Sequence, residues 1–409
     1  MMTKDPFINF YNKKNEGNHM VNGFKAAGIA AGIKKTGAKD LGLIVSTVPA
    51  AVAGVFTKNQ IKAAPVVLDM ERVAAGVCRA VIVNSGNANC CTGEQGMKNA
   101  IHMAKLAADA IGVSEEMALV SSTGVIGQAL PVEKIAAAMP ELTAALSEDG
   151  FLNFAEAIMT TDTKPKMITR TVDVAGKSFS LVAVAKGAGM IRPDMATMLS
   201  YVCTDVEADP QTLNQVLTKA VNLSYNRITI DGDTSTNDTV LLLANGASGV
   251  SITDAGVKER FQAVLDEMLI TLAKMVVKDG EGVTKLVEIR VTGAASNADA
   301  DKMADTVAHS NLVKTAFFGE DANWGRIIGA LGRSGAPLLP DAVDISFDDV
   351  LLVKNGLWCG TDAEAAATKV LKLPEFAVNI DVHMGEGQAS YWTCDFSIDY
   401  VKINADYRS

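Results

Sequence analysis

The 409-residue chain has little of what announces the commonest special chemistries. It holds four histidines and six cysteines (Cys78, Cys90, Cys91, Cys203, Cys359, Cys394), with no C-x-x-C pair and no zinc-like spacing, so no metal site is expected. Such cysteines read as reduced, mostly buried thiols. Basic residues are outnumbered, 37 Lys+Arg against 47 Asp+Glu. The resulting net charge of −10 argues against a nucleic-acid or anionic-membrane surface, because polyanions need a basic footprint. Near the N-terminus the longest apolar run, AAGIAAGI at 26–33, is too short and glycine-broken for a signal or a membrane span. No arginine precedes Arg72, which speaks against an arginine-rich transit peptide. The expected location is the cytoplasm and the expected partners are small molecules. A Walker loop and an internal repeat are both missing, and the GAG at 187–189 lacks the third glycine of a dinucleotide fingerprint. The stretch DGDTSTNDT, 231–239, resembles a calcium loop only superficially. Thr236 stands where glycine is required and no glutamate sits at the twelfth place, so it reads as a polar structural or active-site loop.

What is present describes an ordinary globular α/β protein, 48% hydrophobic and 21% charged, long enough for two domains. Apolar β-rich runs at 41–57, divided by Val48-Pro49-Ala50, and at 78–83 predict buried strands, the latter feeding the loop NSGNANCCTG. Thr92 followed by Gln95 has the form of a capping box before a helix. Helices are expected at 131–146, 150–159, 210–224 and about 253–277, and a hairpin from MITRTVDV and SFSLVAVA. From 285 the elements shorten: KLVEIRV, a helix near 297–308, LVKTAFF, a helix from Trp324, VDISF, LLVKNG, a helix near 362–370, and FAVNIDVHM paired with SYWTCDFSIDYV through a turn at 385–387. This predicts a larger domain over 1–284 and a smaller C-terminal α/β domain over 285–409.

Three stretches carry chemistry. KGAGMIRPDMATML, 186–199, offers a glycine approach, a proline elbow and Thr197 directly after Ala196. It can be a turn before a strand, or a self-cleavage site. In the latter case the Thr197 hydroxyl attacks the Ala196 carbonyl, and the freed α-amine then serves that hydroxyl as base. In SSTG, 121–124, the Thr123 hydroxyl and Gly124 N–H can form a two-donor pocket for an oxyanion, although such turns are common. DGEG, 279–282, presents Glu281 on a tight turn.

Together with NSGNAN (84–89), SSTGVIG (121–127), MTTDT (159–163), DGDTSTND (231–238), GEDANWGRIIGALG (319–332) and INADYRS (403–409), these stretches make nearly the whole chain resemble the ornithine acetyltransferase (ArgJ) family. The resemblance implies an αββα sandwich of the N-terminal-nucleophile type and a proenzyme cleaved between Ala196 and Thr197. The α and β chains would stay associated, commonly as α2β2. It implies acetyl transfer from N-acetylornithine to glutamate through acetyl-Thr197, with Thr123 and Gly124 as oxyanion donors and without a cofactor. In bifunctional relatives acetyl-CoA is a further donor. By position, Lys186 would bind a carboxylate and Glu281 the substrate's side-chain amine. Thr160 would contact substrate, with Thr161 and Thr163 close enough to compete for that role, and Asn404 and Ser409 would close the pocket. The chain departs from the family's frequent KGSGMIAPNMATML at Ala188, Arg192 and Asp194, which bears on the rate of maturation rather than on the nucleophile. The rivals are a β-aminopeptidase-like N-terminal-nucleophile hydrolase and an uncleaved, non-catalytic metabolite-binding protein.

Overall fold

The computed structural model describes residues 21–174, 176–192 and 198–406. Its first part comprises β1 (Phe24–Ile29), β2 (Leu41–Phe56), α1 (Ala64–Val73), β3 (Val77–Asn87), α2 (Gly93–Ile111), β4 (Ala118–Val125), α3 (Val132–Ala144), α4 (Phe151–Ile158), β5 (Lys166–Val174), β6 (Lys177–Lys186), β7 (Leu199–Thr204), α5 (Pro210–Leu223), β8 (Thr239–Ala244) and α6 (Val257–Lys278). The strands form one path, β4-β3-β2-β8-β7-β6-β5, with β1 added to β2.

Strand alternation turns this path into four layers. The 41–57 region is one bent strand rather than two, its register shifting between Val45 and Ala50 around the exposed Thr47-Val48-Pro49. Proline has no N–H for the ladder and tolerates such a break. Before the bend, Leu41, Leu43 and Val45 face α2 and α3, joined by Ala80, Ile82 and Val120 of the neighbouring strands. After it, Ala53 and Val55 lie with Leu181, Ala183, Val202, Val240 and Leu242 against α5 and α6. The opposite faces, Ile44, Val81, Val83 and Leu119 from one half and Val182, Val184, Tyr201, Leu241 and Leu243 from the other, share a single core with α4. Helix, sheet, sheet, helix is therefore the layering, with Phe154 of α4 meeting Tyr201 edge-on at 5.3 Å inside it. A strand covered on both faces should read as an unbroken apolar run, and β8, TVLLLA, is buried throughout.

The second part comprises β9 (Leu286–Ala294), α7 (Asn297–Ala308), α8 (Asn311–Phe318), α9 (Trp324–Gly332), β10 (Asp344–Phe347), β11 (Val350–Lys354), β12 (Leu357–Trp358), α10 (Thr361–Leu371), β13 (Glu375–Asp381), β14 (Gly387–Cys394) and α11 (Ile398–Ala405). Its sheet runs β12-β11-β10-β13-β9-β14 over a separate core. The expected hairpin between the last two strands is corrected, because β13 pairs parallel with one edge of β9 and β14 antiparallel with the other. The apolar LVEIRV strand is central and needs a partner on each side. LVKTAFF is helical, as α8, and the FSIDYV end turns into α11 after the Ser397 side chain accepts from Tyr400 N–H. The expected capping box is also absent: Thr92 donates to Asn89 and Gln95 to Asn99. Cys78, Cys90, Cys203 and Cys394 are buried, Cys91 and Cys359 exposed, and all six are unbridged. Among the described residues no helix is long and apolar enough to cross a membrane.

Candidate active site

The ends of β4, β6 and β7 converge with the 159–165, 231–238 and 279–282 loops on a cavity of about 260 Å³. Thr123, Gly124, Thr160, Thr161, Lys186, Glu281, Asn404 and Met198 line it, with Ser235, Thr236, Asn237 and Asp238. Six positions expected from sequence thus meet in one place: Thr123, Gly124, Thr160, Lys186, Glu281 and Asn404. Ala196, Thr197 and Ser409 fall outside the described residues, as does Asp194.

Parallel pairing of β3 with β4 brings Gly124 onto Gly86, at φ +133°, where an added Cβ would lie 2.4 Å from the Gly86 carbonyl carbon. Only glycine fits there. The surrounding asparagines are supports. Asn84 Nδ2 donates to Asn87 O at 2.9 Å, Ser122 Oγ to Asn84 Oδ1 at 2.6 Å, and Asn237 Nδ2 to Ala88 O at 2.6 Å and Ser122 O at 2.8 Å. The expected loop from residue 84 is thus corrected: β3 runs on through Asn87, and the polar NSGN end of that strand, with its side chains hydrogen-bonded, fixes β4.

Lys186, the last residue of β6, is 7% exposed. Its Nζ donates to Thr160 Oγ1 at 2.9 Å and Thr123 Oγ1 at 3.3 Å and lies 4.0 Å from Asp162 Oδ2. Burial lowers the Lys186 pKa, with Asp162 opposing the shift. Asp162 was not singled out from sequence, yet it accepts from Gly187 N–H at 2.7 Å, Thr160 N–H at 3.0 Å and Lys166 Nζ at 2.7 Å. Burial alone would raise its pKa, but the Lys186 and Lys166 charges and these donors hold its carboxyl well below the usual range. Lys166, 1% exposed, also donates to Asp279 Oδ2 at 2.6 Å. The signal for this cluster was thin, since Asp279 lies 113 residues from Lys166. Among the competing threonines, Thr160 and Thr161 line the cavity, whereas Thr163 is bonded to Asp279.

Glu281 is 8% exposed, a buried carboxylate at the tip of its turn. Its N–H donates to Ala188 O at 2.8 Å and its Oε2 accepts from Asn404 Nδ2 at 2.8 Å. A Cβ on Gly189 would sit 2.6 Å from this carboxylate, which explains that glycine. Asn404 arrives on α11, docked through Ser397 Oγ donating to Gly282 O at 2.6 Å and Tyr400 OH to Asp231 Oδ2 at 3.1 Å.

The chain on either side of 193–197 is anchored. Met190 and Ile191 N–H donate to the Asp231 carboxylate at 2.6 and 2.8 Å, and Met198 O accepts from Thr239 N–H at 3.0 Å. Arg192 faces Asp305 of α7 at 3.8 Å. No group of three or more His, Cys, Asp or Glu able to hold a metal ion occurs among the described residues.

Comparison with known proteins adds identity to this geometry. The model of the ArgJ family matches residues 25–409. The arginine biosynthesis bifunctional protein ArgJ of Geobacter sulfurreducens is 54% identical over 391 residues, 95% of this chain and 100% of its own. That of Syntrophotalea carbinolica is 53% identical over 393 residues, 95% and 99% of the two chains. Among solved structures, an ArgJ of Bacillus halodurans matches at 39% identity and a TM-score of 0.49, covering 51% of this chain and 99% of its own. The chain belongs to the ArgJ family.

Proposed function

We propose that this protein is a self-cleaving acyltransferase of arginine biosynthesis that moves an acetyl group from N-acetylornithine to glutamate. The observation that carries the reading is the single cavity uniting Thr123, Gly124, Thr160, Lys186, Glu281 and Asn404 beside Met198, the residue after Thr197, in a chain of this family. The solved ornithine acetyltransferase of Mycobacterium tuberculosis, 38% identical with a TM-score of 0.38 over 43% of this chain and 94% of its own, is described as complexed with ornithine.

In maturation the Thr197 hydroxyl attacks the Ala196 carbonyl, the C–N bond breaks to leave a free α-amine and an ester between Ala196 and the Thr197 oxygen, and water hydrolyses that ester, releasing the Ala196 carboxylate and the Thr197 hydroxyl. Strand β7 follows the cut and pairs with β6, which precedes it, along Leu181–Lys186. The two chains therefore stay in one sheet, and α2β2 is the assembly we expect. In catalysis the α-amine takes the hydroxyl proton as the oxygen attacks the acetyl carbonyl. The tetrahedral oxyanion receives the Gly124 N–H and the Thr123 hydroxyl. Lys186 donates into Thr123 Oγ1, which leaves the hydroxyl's own hydrogen free to point at the oxyanion. Collapse returns the proton to the leaving amine and releases ornithine. The glutamate amine then attacks the acetyl-threonine ester by the same steps in reverse, regenerating the threonine. Glu281 supplies a buried negative charge for the ornithine side-chain ammonium, and Lys186 a positive one near a substrate carboxylate. Acetyl-CoA is proposed as a second donor, in keeping with relatives named bifunctional.

Incubation with N-acetylornithine and glutamate should yield N-acetylglutamate. Acetate without N-acetylglutamate would favour the hydrolase instead. Thr197→Ala should remain one inactive chain on a denaturing gel, and a cleaved Thr197→Ala protein would refute the maturation step.

A further inference from the structure

We propose that Asp162, Lys166 and Asp279 form an alignment joint that sets the donor-binding carboxylate Glu281 in register with Lys186 and Thr160, making them positioning residues for recognition of the acetyl donor. The proposal rests on the acetyl-transfer reading above.

Three segments that approach the cavity separately meet at the joint. Asp162 lies two residues after Thr160 and accepts the N–H of Gly187, the neighbour of Lys186. Asp279 lies two residues before Glu281 and is gripped by the 163–166 segment, through Thr163 Oγ1, Thr163 N–H at 3.0 Å and Lys166 Nζ at 2.6 Å. Lys166 spans the two carboxylates, 2.7 Å from Asp162 and 2.6 Å from Asp279, with its side chain 1% exposed and theirs 0% and 11%. A buried ion pair is seldom a net stabiliser when weighed against apolar packing, because desolvation offsets most of the attraction. Its value here is positional, since every contact has at least one end within two residues of a cavity-lining side chain.

The joint also crosses the proposed cleavage point. Asp162 and Lys166 precede Ala196, whereas Asp279 and Glu281 follow Thr197. After cleavage the Lys166–Asp279 contact joins the two chains next to the cavity and supplements the Glu281 N–H to Ala188 O bond at 2.8 Å. Loosening it should therefore blur the placement of Glu281 against Lys186 and Thr160. N-Acetylornithine carries the cationic amine that Glu281 would recognise. Glutamate does not, so the acceptor should be spared.

Asp279→Asn keeps the volume and leaves Lys166 paired with Asp162. The mature enzyme should form normally, with the KM for N-acetylornithine raised about tenfold while kcat and the KM for glutamate change less than about twofold. Asp279→Glu, which restores the charge, should recover the donor KM to within about threefold of the parent. Thr163→Ala, at an exposed position that should not threaten folding, should raise the donor KM about two- to threefold. An unchanged donor KM in both Asp279→Asn and Thr163→Ala, or equal losses for donor and acceptor, would overturn the joint. If Asp279→Asn does not fold, the Thr163→Ala result decides. A parent enzyme that moves no acetyl group from N-acetylornithine would instead overturn the acetyl-transfer reading, a different and separable outcome.

Discussion

Lys166 and Lys186 occupy the open end of one hairpin, the first residue of β5 and the last of β6, and both are buried beside Asp162. Their surroundings differ. Lys166 has two carboxylates at 2.7 and 2.6 Å, so its charge is fully answered within the fold. Lys186 has two threonine hydroxyls and only a distant carboxylate at 4.0 Å, and it faces a cavity. Two buried lysines with a shared neighbour thus divide the labour: one fastens the loops and the other keeps charge and donors facing the cavity. Asp162 is the hinge of the comparison because it serves both.

The largest expected effect comes from removing the available charge. Lys186→Met should lower kcat about a hundred- to a thousandfold, the loss typical when an oxyanion donor is removed or misdirected. A loss of less than about tenfold, read in the N-acetylornithine–glutamate assay, would erase the distinction between the two lysines. Next is Asp162→Asn, which leaves two ammonium groups short of a buried counterion and should cost about 3 kcal/mol of stability in chemical denaturation. The folded-state pKa of Asp162 is depressed from 3.8, so its contribution is present above that value and lost as the pH falls through the folded-state value. The gap between parent and Asp162→Asn should therefore hold from neutrality to about pH 5 and narrow under more acid conditions. A gap that widens on acidification would contradict the paired-carboxylate description. Smallest is Asn404→Ala, which removes one N–H donor from Glu281 and should raise the donor KM about three- to fivefold with kcat unchanged.

Much of this was legible in the chain. The β5–β6 hairpin, α5 and α6 follow from apolar periodicity and from Pro210 at a helix start, and Asp209 accepts from Thr212 N–H there as a cap should. Local motifs also drew attention to the Thr123-Gly124 turn and to Glu281 on its tight turn, whereas the binding roles expected of Lys186 and Glu281 came from the family resemblance. What depends on long-range pairing was not legible. The final two strands look like a hairpin because they are neighbours in sequence, yet β9, almost ninety residues before β13, lies between them. The bend in β2 hid the fact that one strand serves two layers. Asp162 and Asp279 read as ordinary loop acids, because what makes them special is a lysine whose partners are brought together only by folding.

The central claim is that this chain becomes two at Ala196–Thr197 and that the new terminus carries the acetyl group. Intact-mass analysis of the purified protein, with and without N-acetylornithine, tests it most directly. The account predicts two polypeptides, the second beginning TMLSY, and on adding donor a gain of one acetyl mass confined to that second chain and reversed by glutamate. A single uncut polypeptide, or an acetyl group carried on any other residue, would contradict it.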